Sequence, residues 1–142
     1  MSEFNFKSAI CTSIEQSERL LALGLKKETA DMYLQSVLND EWSPFIPIAF
    51  PYSDRPEEII APDVVNAIPA WSLHRLLEMM PLDVIIEGGF DNCFTLIKNY
   101  PKGYSVEYDG YSYYHKENIY DTIIEGIEHL IKEGYFNKEY LV

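Results

Sequence analysis

A chain of 142 residues, 47% hydrophobic and 14% aromatic, is long enough to bury one domain's core and too apolar for general disorder. Its formal net charge of −12, with eleven Lys and Arg against 23 Asp and Glu, opposes direct nucleic-acid binding, which depends on neutralising phosphates, and opposes anionic membrane surfaces. No apolar run approaches the roughly 18 residues of a membrane-spanning helix, so no membrane is expected as partner.

Residues 1–10 alternate weakly around Phe4 and Phe6 and read as a short strand or an arm. The opening Met1-Ser2-Glu3-Phe4-Asn5-Phe6-Lys7 lacks the basic-then-apolar order of a signal peptide. Cys11 and Cys93 read as free thiols of a reducing compartment, so the expected location is the cytoplasm. Thr12-Ser13-Ile14-Glu15-Gln16 then starts a helix, with either hydroxyl as cap and Glu15 or Gln16 as the reciprocal partner of a capping box. Ile14, Ser17, Leu20, Leu21 and Leu23 form its apolar side. Gly24 ends it, Leu25 is placed for the contact of a Schellman cap, and Lys26-Lys27 complement the dipole. Glu28 to Met32 begins another turn or short helix, and residues 33–38 read equally as helix or strand.

Residues 39–69 carry six of the eight prolines. Proline cannot donate to a ladder, which argues against a central strand and leaves room for an edge strand around Phe45 to Phe50. Trp42, Phe45, Ile46, Ile48, Phe50, Tyr52, Ile59 and Ile60 are too apolar for a solvated linker. The segment is either an irregular arm over the core or a partner-binding groove, with Asp54 to Glu58 as its tip. Pro69-Ala70-Trp71-Ser72 is expected to open the next helix, with the proline in its first turn. Leu73, Leu76, Leu77 and Met80 are its apolar stripe, and Pro81 helps stop it. Leu82 to Ile86 reads as a strand, punctuated by Gly88-Gly89 before Phe90.

The strongest pattern follows. Asp109-Gly110 between two aromatic runs suits a type I′ hairpin turn, whose central residues need positive φ. The implied register sets Tyr108 opposite Tyr111, Val106 opposite Tyr113 and Tyr104 opposite His115. Ser105, Glu107, Ser112 and Tyr114 then share the other, polar face. A second hairpin through Asn99 to Gly103 would set Leu96 opposite Val106 and Phe94 opposite Tyr108. The expectation is a three-stranded antiparallel meander with one face in need of cover. The helix that supplies it has Asn118 as N-cap, Asp121 in its first turn, and a stripe of Ile119, Ile123, Ile127 and Leu130 flanked by Tyr120, Ile124 and Ile131. Asp121, Glu125, Glu128 and Lys132 fall on the opposite side, and Gly134 is the stop.

No chemistry-bearing motif emerges. His74, His115 and His129 lie on different expected elements, and no Cys-x-x-Cys or His-x-x-x-His spacing exists, so no metal or other cofactor is assigned. Ser72 and His74 are two apart on a helix and do not face one another. There is no Gly-x-Ser-x-Gly elbow, and Gly88-Gly89 lacks a phosphate-loop pattern. No catalytic residue is assigned. Of the eleven tyrosines, Tyr114 on the polar face is the best exposed anchor, because interfaces are enriched in tyrosine. Trp42, Phe50 and Tyr52 of the proline-rich segment complete the candidate binding set.

Two segments carry a resemblance: Cys11 to Leu21 with Leu23-Gly24-Leu25 and Thr29 to Met32, and Ile68 to Leu73 with Leu76-Leu77 and Met80-Pro81. With the helix ending in Glu133-Gly134-Tyr135, they resemble a family of small uncharacterised proteins of gut bacteria, often found among prophage and mobile-element genes. The resemblance spans roughly residues 11 to 136. It implies a cytoplasmic origin and a phage or mobile-element context, and no site residues. The expected architecture is one α+β domain over residues 1–142: a small, mainly antiparallel sheet, the C-terminal covering helix, and further helices in the N-terminal and middle regions. The expected function is a non-enzymatic accessory protein that binds another protein. The same surfaces would also serve a second copy of the chain. The alternatives are a small enzyme with a dispersed active site, and an acidic inhibitor that mimics nucleic acid.

Overall fold

The computed structural model describes residues 8–37, 41–45, 66–86, 90–98, 102–108 and 111–142. At 35–37, 41–45, 66–67, 83–86, 90–93 and 111–115 the description covers the backbone alone. Three α-helices and seven strands occur among these residues. They run α1 Ile14–Ala22, β1 Met32–Val37, β2 Glu41–Phe45, β3 Asn66–Ala70, α2 Leu73–Met79, β4 Asp83–Ile86, β5 Phe90–Lys98, β6 Tyr104–Tyr108, β7 Tyr111–Lys116 and α3 Ile119–Glu133. Short 3-10 turns lie at Lys27–Thr29 and Lys138–Tyr140. The class is α+β.

Residues 32–37 are a strand, the middle one of an antiparallel sheet ordered β2-β1-β3. Leu34 sits opposite Pro44 on one side and Ile68 on the other. Pro44 and Pro69 thus both lie on outer strands, where a missing N–H is tolerated. The expected helical role of Pro69 is therefore incorrect. A proline biases the residue before it toward extended backbone, and the chain stays extended through Ala70. Ser72 then caps α2, its side chain accepting from the Arg75 amide. The edge strand expected over Phe45 to Phe50 is described only as β2, which ends at Phe45; residues 46–65 lie outside the described residues.

The second sheet has four antiparallel strands in the order β4-β5-β6-β7, with β4 added beside the three strands expected from sequence. β5 pairs with β4 along 90–93 and with β6 along 94–98, with Phe94 opposite Tyr108 and Leu96 opposite Val106. Between β6 and β7, Tyr108 faces Tyr111 and Glu107 faces Ser112, and the register then slips. Ser105 lies opposite His115 and Tyr104 opposite Lys116, so the expected pairing of Tyr104 with His115 is incorrect. One extra residue of β7 has been inserted as a bulge. With tyrosine at both 113 and 114, the alternation carries no mark of the slip.

α3 packs on this sheet. Ile123, Ile124, Ile127 and Leu130 are fully buried together with Val106 and Tyr108, the non-directional burial that dominates folding energetics. A Cβ built on Gly126 would lie 3.5 Å from Val106 Cγ1 and 3.7 Å from Met80 Cε. The rings of Phe94 and Tyr108 meet at 5.6 Å, and the Tyr108 hydroxyl donates to the Pro81 carbonyl at 2.9 Å. Asn118 accepts from the amides of Tyr120 and Asp121, and Gly134 ends the helix at φ 79°. The Tyr135 and Phe136 amides both donate to the Leu130 carbonyl, and Phe136 is buried.

α1 follows its sequence signals. Ser13 and Gln16 close the capping box, and the amides of Gly24 and Leu25 return to the carbonyls of Leu21 and Leu20. Leu25 then bridges antiparallel to Leu141, with the Lys26 amide donating to Tyr140 O and the Val142 amide to Gly24 O. The polar side of α3 is not left to solvent. Gln16 Nε2 donates to Asp121 Oδ1 at 2.9 Å, and Arg19 Nη2 reaches Glu125 Oε1 at 3.1 Å and Glu128 Oε2 at 2.6 Å. The acids expected on an outward face therefore form a polar seam between α1 and α3.

Candidate functional site

Trp71 is the point where the helices and the first sheet are tied together. Its amide donates to Thr12 Oγ1 (3.1 Å), its carbonyl accepts from the Thr12 amide (2.9 Å), and its indole N–H donates to Thr29 Oγ1 (2.9 Å). Thr12 Oγ1 and Ser17 Oγ lie 2.7 Å apart, both buried. Next along the chain, the Ser72 amide and hydroxyl donate to the two oxygens of Asp31. Arg75 Nη1 donates to the Thr29 carbonyl at 3.3 Å. The groups named here are hydrogen-bonded, as burial demands, except Arg75 Nε, which is buried with no hydrogen-bond partner among the described residues and lies 3.8 Å from Glu78 Oε1.

The chemistry open to this cluster is limited. Ser72 Oγ accepts from the Arg75 amide and donates to Asp31, so it already serves as a cap. His74 points the other way: its side chain is 85% exposed and lies 3.9 Å from Glu78. His129 lies 3.8 Å from Glu133 one turn along α3, while the side chain of His115 lies outside the described residues. Burial, followed by the nearby charge of Asp31, pushes the Cys11 thiol up to about 11. A thiol held protonated at neutral pH is a poor nucleophile. Burial also raises the Tyr120 phenol, and its hydroxyl donates to the Ala9 carbonyl at 2.8 Å. No group of three His, Cys, Asp or Glu side chains able to hold a metal occurs among the described residues.

Two adjoining cavities follow the Ser8–Ser13 stretch. One, of about 450 Å³, is lined by Leu73, Tyr104, Glu117 and Tyr120; the other, of about 490 Å³, by Ile10, Cys11, Gln16 and Leu34. Ser8, Ala9 and Asn118 belong to both. A third, of about 780 Å³, lies where Leu21, Leu25, Lys26 and Lys27 meet Val142.

The binding residues expected from sequence are dispersed. Trp42 lies on β2, opposite Ser36, and Tyr114 lies on β7. Their side chains lie outside the described residues, as do Phe50 and Tyr52 entirely. Tyr114 was placed opposite Ser105 by an unbroken ladder; the bulge puts His115 there instead. The sheet face away from α3 is described at Thr95, which is exposed, at Ile97 and Glu107, which are half-buried, and at Ser105, which is buried. The Asp31–Ser72 and Thr12–Trp71 links have no signature in sequence spacing.

No family model, curated protein or solved structure matches the chain. No helix among the described residues is long and apolar enough to cross a membrane.

Proposed function

We propose that the chain is a non-enzymatic accessory protein that binds another protein through the face of the four-stranded sheet turned away from α3. Tyr114, Trp42, Phe50 and Tyr52 are the residues proposed to contact the partner. The observation that carries the reading is the asymmetry of the sheet. Val106 and Tyr108 are wholly buried on one side; on the other Thr95 is exposed and Ile97 and Glu107 are half-buried, with Ser105 buried opposite Ile97. A β-sheet face mixing β-branched, apolar and polar residues offers a rigid contact surface at low entropic cost. The hydrogen bonds of Ser72 to Asp31 and the burial of Cys11 favour this reading over a small enzyme. Engagement of Asp121, Glu125 and Glu128 by Gln16 and Arg19 likewise weighs against a free carboxylate ridge imitating nucleic acid. The prophage or mobile-element setting rests on the sequence resemblance over residues 11 to 136.

The test compares tagged wild type with Thr95→Trp, a neutral and bulky change, in cells that naturally make the protein. One partner should be recovered in near-equal amount with wild type and lost with the variant, while urea unfolding of the two stays alike. Recovery of the same proteins by both forms, or of none by either, overturns the proposal.

A further inference from the structure

We infer that the cavity of about 450 Å³ at the start of α3 binds a small neutral sugar. The site is independent of the outward sheet face and of the protein-binding reading. Three parts of the chain meet there: Ser8 and Ala9, the start of α2 at Leu73, and the first turn of α3 beside Tyr104. Tyr104 shares the inner parity of β6 with Val106 and Tyr108, and its carbonyl accepts from Thr122 Oγ1 at 3.3 Å. Tyr120 lies buried at the base, its hydroxyl donating to the Ala9 carbonyl. Ser8, Glu117 and Asn118 are exposed and form the rim, which leaves a way in. The volume falls within the roughly 300–1,000 Å³ of small-molecule sites.

The lining groups select the ligand. Asn118 Oδ1 accepts from the amides of Tyr120 and Asp121 and from Gln16 Nε2, which turns Nδ2 away from the helix as a donor. Lys102 Nζ holds Glu117 Oε1 at 2.5 Å, leaving Oε2 as an acceptor. The Ser8 and Tyr104 hydroxyls can donate or accept, and neither is hydrogen-bonded among the described residues. Beside these groups stand the Leu73 side chain and the rings of Tyr104 and Tyr120. A sugar ring is the complement of such a lining: its edge carries hydroxyls that both donate and accept, and its faces carry C–H groups. An anion would meet Glu117, with no lysine or arginine among the described lining residues. The amides of Tyr120 and Asp121 are already taken by the cap, so the helix terminus does not serve an anion either. A wholly apolar ligand would leave Ser8, Glu117 and Asn118 unmatched.

The probes are glucose, galactose, mannose, N-acetylglucosamine and maltose, each titrated into the full chain and followed by amide shifts. At least one should give saturable shifts concentrated at residues 8–9, 73, 104 and 117–120. Ser8→Ala/Glu117→Ala changes two exposed rim residues and should weaken that sugar at least about tenfold, because sugar hydroxyls lose their partners. Glu18→Ala/Glu139→Ala, at exposed positions elsewhere, should bind within about twofold of wild type. Cyclohexanol, which keeps a ring with one hydroxyl, and glucuronate, which adds a negative charge, should both bind more weakly than the sugar. Failure of all five sugars to give saturable shifts overturns the inference. So do shifts centred elsewhere, binding of cyclohexanol or glucuronate as tight as that of the sugar, and double variants that weaken binding equally or not at all.

Discussion

The region built from β5, β6, β7 and α3 and the region around Trp71 share one apolar core and differ in what fastens them beyond it. The first joins Ile123, Ile127 and Leu130 to Val106 and Tyr108 by burying apolar surface. The second joins Thr12, Ser17, Thr29, Asp31 and Ser72 to Trp71 and its neighbour by directed hydrogen bonds. Apolar burial accepts small displacements because it has no preferred direction. A buried polar junction does not, because each unmatched group retains its full desolvation penalty. Arg19 joins the two regions, reaching from α1 to two carboxylates on α3.

The contrast is broken most severely on its apolar side. Ile127→Ala removes a fully buried side chain and should cost about 2–5 kcal/mol, read as a lower urea midpoint with an unchanged slope. Salt should not alter that loss. The polar region should show its character at high pH. The Cys11 thiol ionises near 9.0 when free and at about 11 in the fold. Between those values the unfolded chain gives up a proton that the folded chain keeps. Stability tied to this group is therefore complete below pH 9 and is lost as pH rises through 11, at up to about 1.4 kcal/mol per pH unit. Comparing wild type with Cys11→Ala across that window isolates the slope; parallel curves would show a hydrated thiol.

Smaller effects sharpen the comparison. Asp31→Ala strands the Ser72 amide and hydroxyl in a partly buried site and should cost about 1–3 kcal/mol. Asp31→Asn keeps an acceptor for the amide and should recover part of that in the same urea titration. At the junction of the regions, Arg19 and Glu128 are each more than a third exposed, so solvent screens the seam. Arg19→Ala should cost no more than about 1 kcal/mol at low salt, shrinking as salt is added. A loss that salt leaves untouched would mean that Arg19 acts through packing.

The two regions also differed in how far they could be read from sequence. Phe94, Leu96, Val106 and Tyr108 announce a common face because alternation runs on both sides of a turn fixed by Asp109-Gly110, and α3 repeats its isoleucines at helical spacing. The junction has no such period. Thr12 and Trp71 lie 59 residues apart, and Asp31 and Ser72 lie 41 apart, so neither link leaves a local pattern. Pro69 misled for the opposite reason: its local preference for a helix start was real, but pairing with β1 prevailed. The acids of α3 misled because amphipathicity says which side avoids the core, and does not say that a second helix will lie there. The outward sheet face was legible as polar from Glu107 and Ser112, while the place of Tyr114 on it depended on a register that the bulge changed.

Gly126 gives the smallest effect and the finest test of how tolerant the apolar contact is. It sits inside α3, where glycine is up to about 1 kcal/mol less favourable than alanine because it gives up more backbone freedom. The added Cβ would meet Val106 Cγ1 at 3.5 Å and Met80 Cε at 3.7 Å, which are ordinary contact distances. Gly126→Ala should therefore stabilise the protein by about 0.5–1 kcal/mol. Gly134 is the control: its φ of 79° puts it in the left-handed region, and nothing lies within 4 Å of an added Cβ. Alanine there brings strain without contact, and should destabilise by about 1 kcal/mol. Opposite shifts of the urea midpoint would show that α3 rests on the sheet with room to spare. A midpoint that falls in both variants would mean that this contact is as exacting as the polar junction, and the distinction between the two regions would not hold.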